Sequence, residues 1–192
     1  MRVIAGNARG RKLQAGRGRA IRPTGSKVRG AIFSILGSRY ELSGVEVLDL
    51  FAGAGSLGIE ALSRGARGVT FVEGDTTAAH ILRGNLERCG LKAQGRVIQA
   101  RLPAALRRLA GTARFGGVFL DPPYGKGLVG ATLAQLGQLD LLEPGSWVVA
   151  EHAVEEAVAE RYGALRLTDA RRYGKTALAI FICDGEVQSS QA

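Results

Sequence analysis

The chain has 192 residues, 46% of them apolar, with a formal net charge of +9 and two cysteines; its mean hydropathy is +0.06. That length suits one domain with a substantial core, no apolar run approaches the roughly 20 residues needed to span a bilayer, and the Arg-rich start lacks the apolar stretch of a secretory signal. Cys89 and Cys183 lie far apart, and His80 and His152 have no Cys or His partner at ligand spacing, a pattern that points to reduced thiols in the cytoplasm and to no metal site.

The charge is unevenly placed. Residues 1–40 hold ten basic side chains and no acid, whereas the rest of the chain holds 16 basic and 17 acidic residues. A neutral body with a basic arm favours a polyanion, most simply nucleic acid; a solubilising tail, or a general bias toward arginine, is the plainer alternative. Residues 2–5 and 11–14 read as two short strands around a Gly6–Gly10 turn, and Gly16 and Gly18 punctuate a basic stretch that includes Arg17 and Arg19. Arg22-Pro23-Thr24 then precedes a helix starting at Ser26, with Val28, Ala31, Ile32, Ile35 and Leu36 at helical spacing and Gly37 as its stop.

From Val45 onward strands and helices alternate. Strands are expected at 45–50, 69–73, 95–99, 118–120 and 147–151, and helices at 57–63, 76–88, 103–109, 128–136 and 153–161. Two strands, 165–171 and 176–183, follow without a helix between them, joined at Tyr173-Gly174-Lys175. The alternation implies a mostly parallel sheet with helices on both faces and an antiparallel element at its end.

Two motifs carry chemistry. Gly53-Ala54-Gly55-Ser56-Leu57-Gly58 follows a strand and opens a helix, and Glu73 stands 20 residues past Gly53 at the tip of the next strand. Alone, this spacing reads as a dinucleotide site. Asp49 argues against a pyrophosphate, which it would repel, and for a ligand bearing an amino group and a ribose diol, as S-adenosylmethionine does; a helix-capping or turn acid is the bland reading of Asp49. The second motif is Asp121-Pro122-Pro123-Tyr124. Prolines cannot continue a central strand, so the apolar run before them ends in a stiff tip with a carboxylate, carbonyls and a ring, a set suited to a planar group bearing an amine. A Pro-Pro turn with a buried tyrosine is the structural alternative.

With these residues in place, the chain resembles the bacterial 16S ribosomal RNA (guanine-N2)-methyltransferases. The likeness rests on Arg2-Val3-Ile4-Ala5-Gly6, Gly10-Arg11-Lys12-Leu13, Arg22-Pro23-Thr24, Val28-Arg29, the run from Val47 to Gly58, Glu60-Ala61-Leu62-Ser63-Arg64-Gly65-Ala66, Phe71-Val72-Glu73, Asp121 through Leu128, and Tyr173-Gly174. It implies a Rossmann-like class I methyltransferase fold of α/β type, a seven-stranded sheet, mostly parallel, with an antiparallel C-terminal strand, and an N-terminal extension of a β-hairpin and a helix. It divides the chain into that extension (1–40), the methyltransferase body (41–186) and a frayed tail (187–192). It implies a monomer working on 16S RNA or the small ribosomal subunit with S-adenosylmethionine. Catalysis is expected at Asp121, Pro122, Pro123 and Tyr124. Cofactor contacts are expected from Thr24, Arg29, Asp49, Phe51, Gly53, Gly55, Glu73, Arg101 and Asp121, and RNA contacts from Arg9, Arg11, Lys12, Arg17, Arg19, Arg22 and Lys126. The chain departs from the family pattern at Gly25-Ser26-Lys27, Gly30 and Gly74. It departs again at Gln99-Ala100-Arg101, where the family often offers Asp or Asn to the adenine amine; Arg101 can only stack or donate. An adenine-N6 DNA methyltransferase shares the tip chemistry, and a nicotinamide oxidoreductase or a non-catalytic RNA-binding module are the readings from other classes.

Overall fold

The computed structural model describes residues 1–15 and 25–185. In chain order the elements are α1 (Ser26–Arg39), β1 (Glu46–Leu50), α2 (Ser56–Ser63), β2 (Gly68–Glu73), α3 (Thr76–Cys89), β3 (Gly95–Gln99), α4 (Ala104–Leu109), β4 (Phe115–Leu120), α5 (Leu128–Leu136), β5 (Leu142–Ala153), β6 (Arg161–Tyr162), β7 (Leu165–Tyr173) and β8 (Thr176–Cys183). They build one sheet in the order β3-β2-β1-β4-β5-β8-β7-β6. The strands β1 to β5 pair in parallel, because a helix carries the chain back after each of the first four. No helix intervenes after β5, so β8, β7 and β6 pair antiparallel. The sheet has eight strands rather than seven; the extra one is the two-residue β6, folded back on the start of β7.

Side-chain alternation divides the core between the two faces. Val47 of β1, Phe119 of β4, and Trp147 and Val149 of β5 pack with α1, α2 and α3. Leu48, Leu50, Val118, Leu120, Val148 and Ala150 point the other way, to α4 and α5. Phe33 of α1, Phe119 and Trp147 stack with centroids 5.6 and 5.0 Å apart, geometry worth about 1 kcal/mol per pair beyond area burial.

The N-terminal segment forms the expected two-stranded pairing in its shortest form. Only Arg2 and Lys12 form a bridge. Val3 N and Leu13 N donate across it to the Arg11 and Met1 carbonyls at 3.0 and 2.9 Å, but amides between them turn to α2: Ile4 N and Ala5 N donate to the Glu60 carboxylate at 2.7 and 3.0 Å, Ala8 N to Ser63 Oγ at 2.9 Å, and Asn7 N to the Ser63 carbonyl at 2.8 Å. Val3, Ala8 and Leu13 are buried in the same core as α2 and α3.

Two helix expectations also change. The stretch 153–161 is not a helix. Antiparallel pairing of β5 with β8 carries the strand to Ala153, opposite Thr176, and Val154 N then donates to the Lys175 carbonyl, so the backbone at the expected helix start is committed to the sheet. The helix α1 is capped by Gly25, runs through Gly37 and ends at Arg39; Arg39 is anchored by Asp169 of β7 at 2.8 Å.

Candidate active site

The parallel strands end together. Leu50 aligns with Val72 and with Leu120, Leu120 with Ala150, and Glu73 with Gln99. Their carboxyl ends therefore bring the glycine turn, Glu73, Arg101 and Asp121-Pro122-Pro123-Tyr124 to one edge, where open α/β sheets bind ligands. Asp121 N still reaches the Leu50 carbonyl at 3.5 Å, and the next residue, Pro122, has no amide with which to extend the ladder. Two open depressions of about 900 and 480 Å³ lie at the opposite edge, lined by residues such as Arg114, Leu142 and Arg161, and Glu46, Gly68 and Phe115, away from these motifs.

The glycine turn is tied down by acids. Phe51 adopts a φ of 58°, the one positive value at a non-glycine residue among the described residues, a costly conformation that neighbouring structure must hold. Ala52 N donates to the Val72 carbonyl. Gly53 N donates to Glu73 Oε2 at 2.7 Å, and Asp75 N to Glu73 Oε1 at 2.7 Å. Gly55 (φ 82°) caps α2; a Cβ there would stand 2.2 Å from Leu82 Cδ1. At Gly58 a Cβ would stand 2.3 Å from the Phe71 ring, so helix α2 packs closely on β2 only because this residue is glycine.

Asp49, 2% exposed, accepts from Gly58 N at 2.9 Å. The turn-acid role weighed for it is thus present, at the N-terminus of α2. Burial pushes its carboxyl up to about 7, against the lowering effect of the Gly58 amide and with a further push from Glu73. Gly53 N and Gly58 N are both given to carboxylates. The turn thus presents acids, a set that fits a cationic, phosphate-free ligand with a diol better than a pyrophosphate.

At the tip, the Tyr124 hydroxyl donates to Glu151 Oε1 at 2.7 Å and lies 3.0 Å from Thr176 Oγ1. Burial raises its pKa well above the ordinary phenol value; the Thr176 bond opposes this, while Glu151 and Asp121 add to it. The ring stays neutral and is held from two strands, β5 and β8. Pro122 is buried, Pro123 exposed, and Asp121 half-buried.

The family model described as Conserved hypothetical protein 95 matches residues 1–182. Ribosomal RNA small subunit methyltransferase D of Haemophilus influenzae is 39% identical over 153 residues, 79% of this chain and 78% of that protein. The chain belongs to the ribosomal RNA small subunit methyltransferase D family. The solved yhhF protein of Escherichia coli superposes with a TM-score of 0.84 at 32% identity, covering 97% of this chain and 99% of that one. At the level of fold, an RNA methyltransferase from Salinibacter ruber solved with S-adenosyl-L-homocysteine superposes with a TM-score of 0.66 at 16% identity, covering 89% and 99% of the two chains.

In this methyltransferase D relative, the remaining nominated residues divide clearly. Thr24, Arg17, Arg19 and Arg22 lie outside the described residues. Arg9, Arg11, Lys12, Arg101 and Lys126 are exposed. Arg29, expected at the cofactor, is 1% exposed and is engaged elsewhere: Nη2 donates to the Arg2 carbonyl at 2.6 Å and Nη1 to Met1 Sδ at 3.2 Å. Burial lowers its pKa, offset in part by Glu60. Two departures from the family pattern touch each other: a Cβ at Gly74 would stand 2.9 Å from Arg101 Cγ, so the glycine makes room for the arginine stem. Gln99 Nε2 donates to Thr76 Oγ1 at 2.8 Å.

Reasoning from sequence did not single out Glu151, Thr176, Glu60 or Asn85. Each is a polar residue in an otherwise apolar strand or helix face. That is the signal that marks such positions, but it does not say which atoms they meet.

Proposed function

We propose that this protein transfers a methyl group from S-adenosylmethionine to the exocyclic N2 amine of one guanine in 16S ribosomal RNA. The observation that carries the reading is the juxtaposition at adjacent strand ends of an acid-lined glycine turn, with its amides already occupied, and an Asp-Pro-Pro-Tyr tip. Adjacent strands lie roughly 5 Å apart, so donor and acceptor sites are neighbours.

When bound, the cofactor supplies an electrophilic methyl group on a sulfonium. Glu73 is placed for its ribose hydroxyls and Asp49 for its ammonium, with Gly53 and Gly55 leaving the backbone open and Phe51 and Arg101 flanking the adenosine side. Asp121 and a carbonyl at Pro122 accept the two N–H bonds of the guanine amine. That pair favours a nitrogen whose lone pair faces the cofactor side, which matters because the lone pair is otherwise spread into the ring. Tyr124, held by Glu151 and Thr176, offers its ring face to the base. Asp121 is placed to take the proton released after methylation. A paired base does not reach such a tip, so the target is unpaired or flipped out. Arg9, Arg11, Lys12, Arg17, Arg19, Arg22 and Lys126 grip phosphates. The reading takes one chain, a monomer, as the working unit. No helix among the described residues is long and apolar enough to cross a membrane, and a ribosomal substrate places the work in the cytoplasm.

The test is incubation with unmethylated small subunits and labelled S-adenosylmethionine, followed by mapping of the label. N2-methylguanine at a single site is expected, with no product from Asp121→Ala even though that variant still binds S-adenosylhomocysteine. Label on an adenine amine, or normal methylation by Asp121→Ala, refutes the assignment.

A further inference from the structure

Asn85 sits on the inner side of α3 between Leu82 and Leu86, with 0% of its surface exposed. A plain core position there would take an apolar side chain, since a buried amide is costly unless its bonds are met. Here every bond is met. Nδ2 donates to the Gln14 carbonyl at 2.9 Å and to the Ala54 carbonyl at 2.9 Å, and Oδ1 accepts from Gln14 N at 2.8 Å and from Arg88 Nη1 at 3.1 Å. The partners fix the orientation of the amide, because a flipped one would set its oxygen against two carbonyls.

The two main-chain partners belong to different functional parts. Ala54 is the centre of the glycine turn; the peptide that carries its carbonyl also carries Gly55 N, which donates to the Ala52 carbonyl at 2.7 Å. Glu73 holds the turn through Gly53 N, and Asn85 holds it at the next residue, Ala54. Gln14 lies next to the end of the described N-terminal segment, one residue after the buried anchor Leu13. Asn85 engages both its N–H and its C=O, as a neighbouring strand would, and Arg88 Nη2 adds a bond to Gln14 Oε1 at 2.8 Å. A single side chain therefore joins the seat of the segment that bears Arg9, Arg11 and Lys12 to the peptide plane on which the cofactor site is built.

We propose that Asn85 is a positioning residue for the cofactor turn, and that through it the seating of the basic N-terminal segment on RNA tightens cofactor binding. The inference rests on the methyltransferase reading above. Coupling of this kind is reciprocal: if RNA raises cofactor affinity by some factor, the cofactor raises RNA affinity equally.

The experiment measures the Kd of S-adenosylhomocysteine by calorimetry on the full chain, with and without in vitro transcribed 16S RNA. The variants are Asn85→Ala, Leu13→Ala and Leu136→Ala. The last is a core truncation in α5, on the other face of the sheet. RNA is expected to tighten binding to the wild type. Asn85→Ala is expected to raise Kd by about three- to tenfold, the range for one or two lost neutral hydrogen bonds, and to remove the effect of RNA. Leu13→Ala loosens the segment while leaving Asn85 and the turn in place, and is expected to shift Kd the same way; it also decides the matter if Asn85→Ala does not fold. Leu136→Ala lowers the melting temperature but leaves Kd within twofold. A Kd for Asn85→Ala within twofold of wild type, or an equal shift in Leu136→Ala, overturns the positioning role. No effect of RNA on the wild type, or none of Leu13→Ala, overturns the coupling. Failure of the wild type to bind S-adenosylhomocysteine strikes instead at the proposed function.

Discussion

Replacement of Asp49 by Asn isolates the electrostatics of the cofactor site. In the free protein, burial pushes the Asp49 carboxyl from an ordinary 3.8 up to about 7, so at pH 6 most of it is protonated. An ammonium held beside it favours the ionised form and pulls that pKa down. Binding then releases a proton below pH 7, and affinity rises with pH until the free carboxyl is ionised. The linkage predicts a Kd for S-adenosylhomocysteine about elevenfold weaker at pH 6 than on the plateau near pH 8. The same raised pKa penalises the ionised folded state. Stability of the free protein therefore falls as pH rises from about 4 to about 7, by up to about 4 kcal/mol from this group. Asp49→Asn removes both slopes while its amide oxygen still accepts from Gly58 N. Calorimetry in two buffers of different ionisation enthalpy reads the released proton directly. A flat pH profile for the wild type, or an unchanged one for Asp49→Asn, refutes the placement of the amino group at Asp49.

Tyr124→Phe keeps the ring but frees Glu151 and Thr176 from it; kcat is expected to fall by about tenfold, as for one hydrogen bond to a charged group, with the Kd of S-adenosylhomocysteine unchanged, in a filter assay of labelled subunits. Glu60→Ala strips the acceptor from Ile4 N, Ala5 N and Arg64 Nε; a loss of about 3 kcal/mol is expected in urea denaturation, with faster tryptic cleavage after Arg9 and Arg11 as the segment lifts off α2. Loss below about 1 kcal/mol would mean the N-terminal segment is not held there. For RNA, Arg11→Ala together with Lys12→Ala is expected to lower the slope of log K against log salt by about two while leaving S-adenosylhomocysteine binding alone; an unchanged slope removes these two residues from the phosphate grip.

Much of the body was legible because its signals are local. Hydrophobic period and glycine stops mark β1 through α5 to within a residue, except that β4 starts at Phe115, three residues before its expected start, and Pro122 ends β4 wherever the strand lies. The stretch 153–161 was misread because its helical pattern is short and competes with a partner, β8, that arrives more than twenty residues later. The bonds of Arg29 are equally nonlocal. An arginine beside a ligand motif reads as a ligand contact, and here the N-terminal segment folds back over α1 and takes both ends of its guanidinium.

The sequence by itself determined the alternation of strands and helices, the glycine turn, the stiff Asp-Pro-Pro-Tyr tip and the basic first forty residues, since each depends on backbone chemistry or composition within a short window. Only the tertiary structure decided which groups those motifs meet. Gly53 and Gly58 give their amides to Glu73 and Asp49, Tyr124 is held by Glu151 and Thr176, and Asn85 joins Gln14 to Ala54. These pairings bring together residues from 9 to 71 positions apart, and all but the shortest, Asp49 to Gly58, lie beyond the reach of any local pattern. Hydrogen bonding is short-ranged in space, and only packing of the sheet sets which distant segments become neighbours.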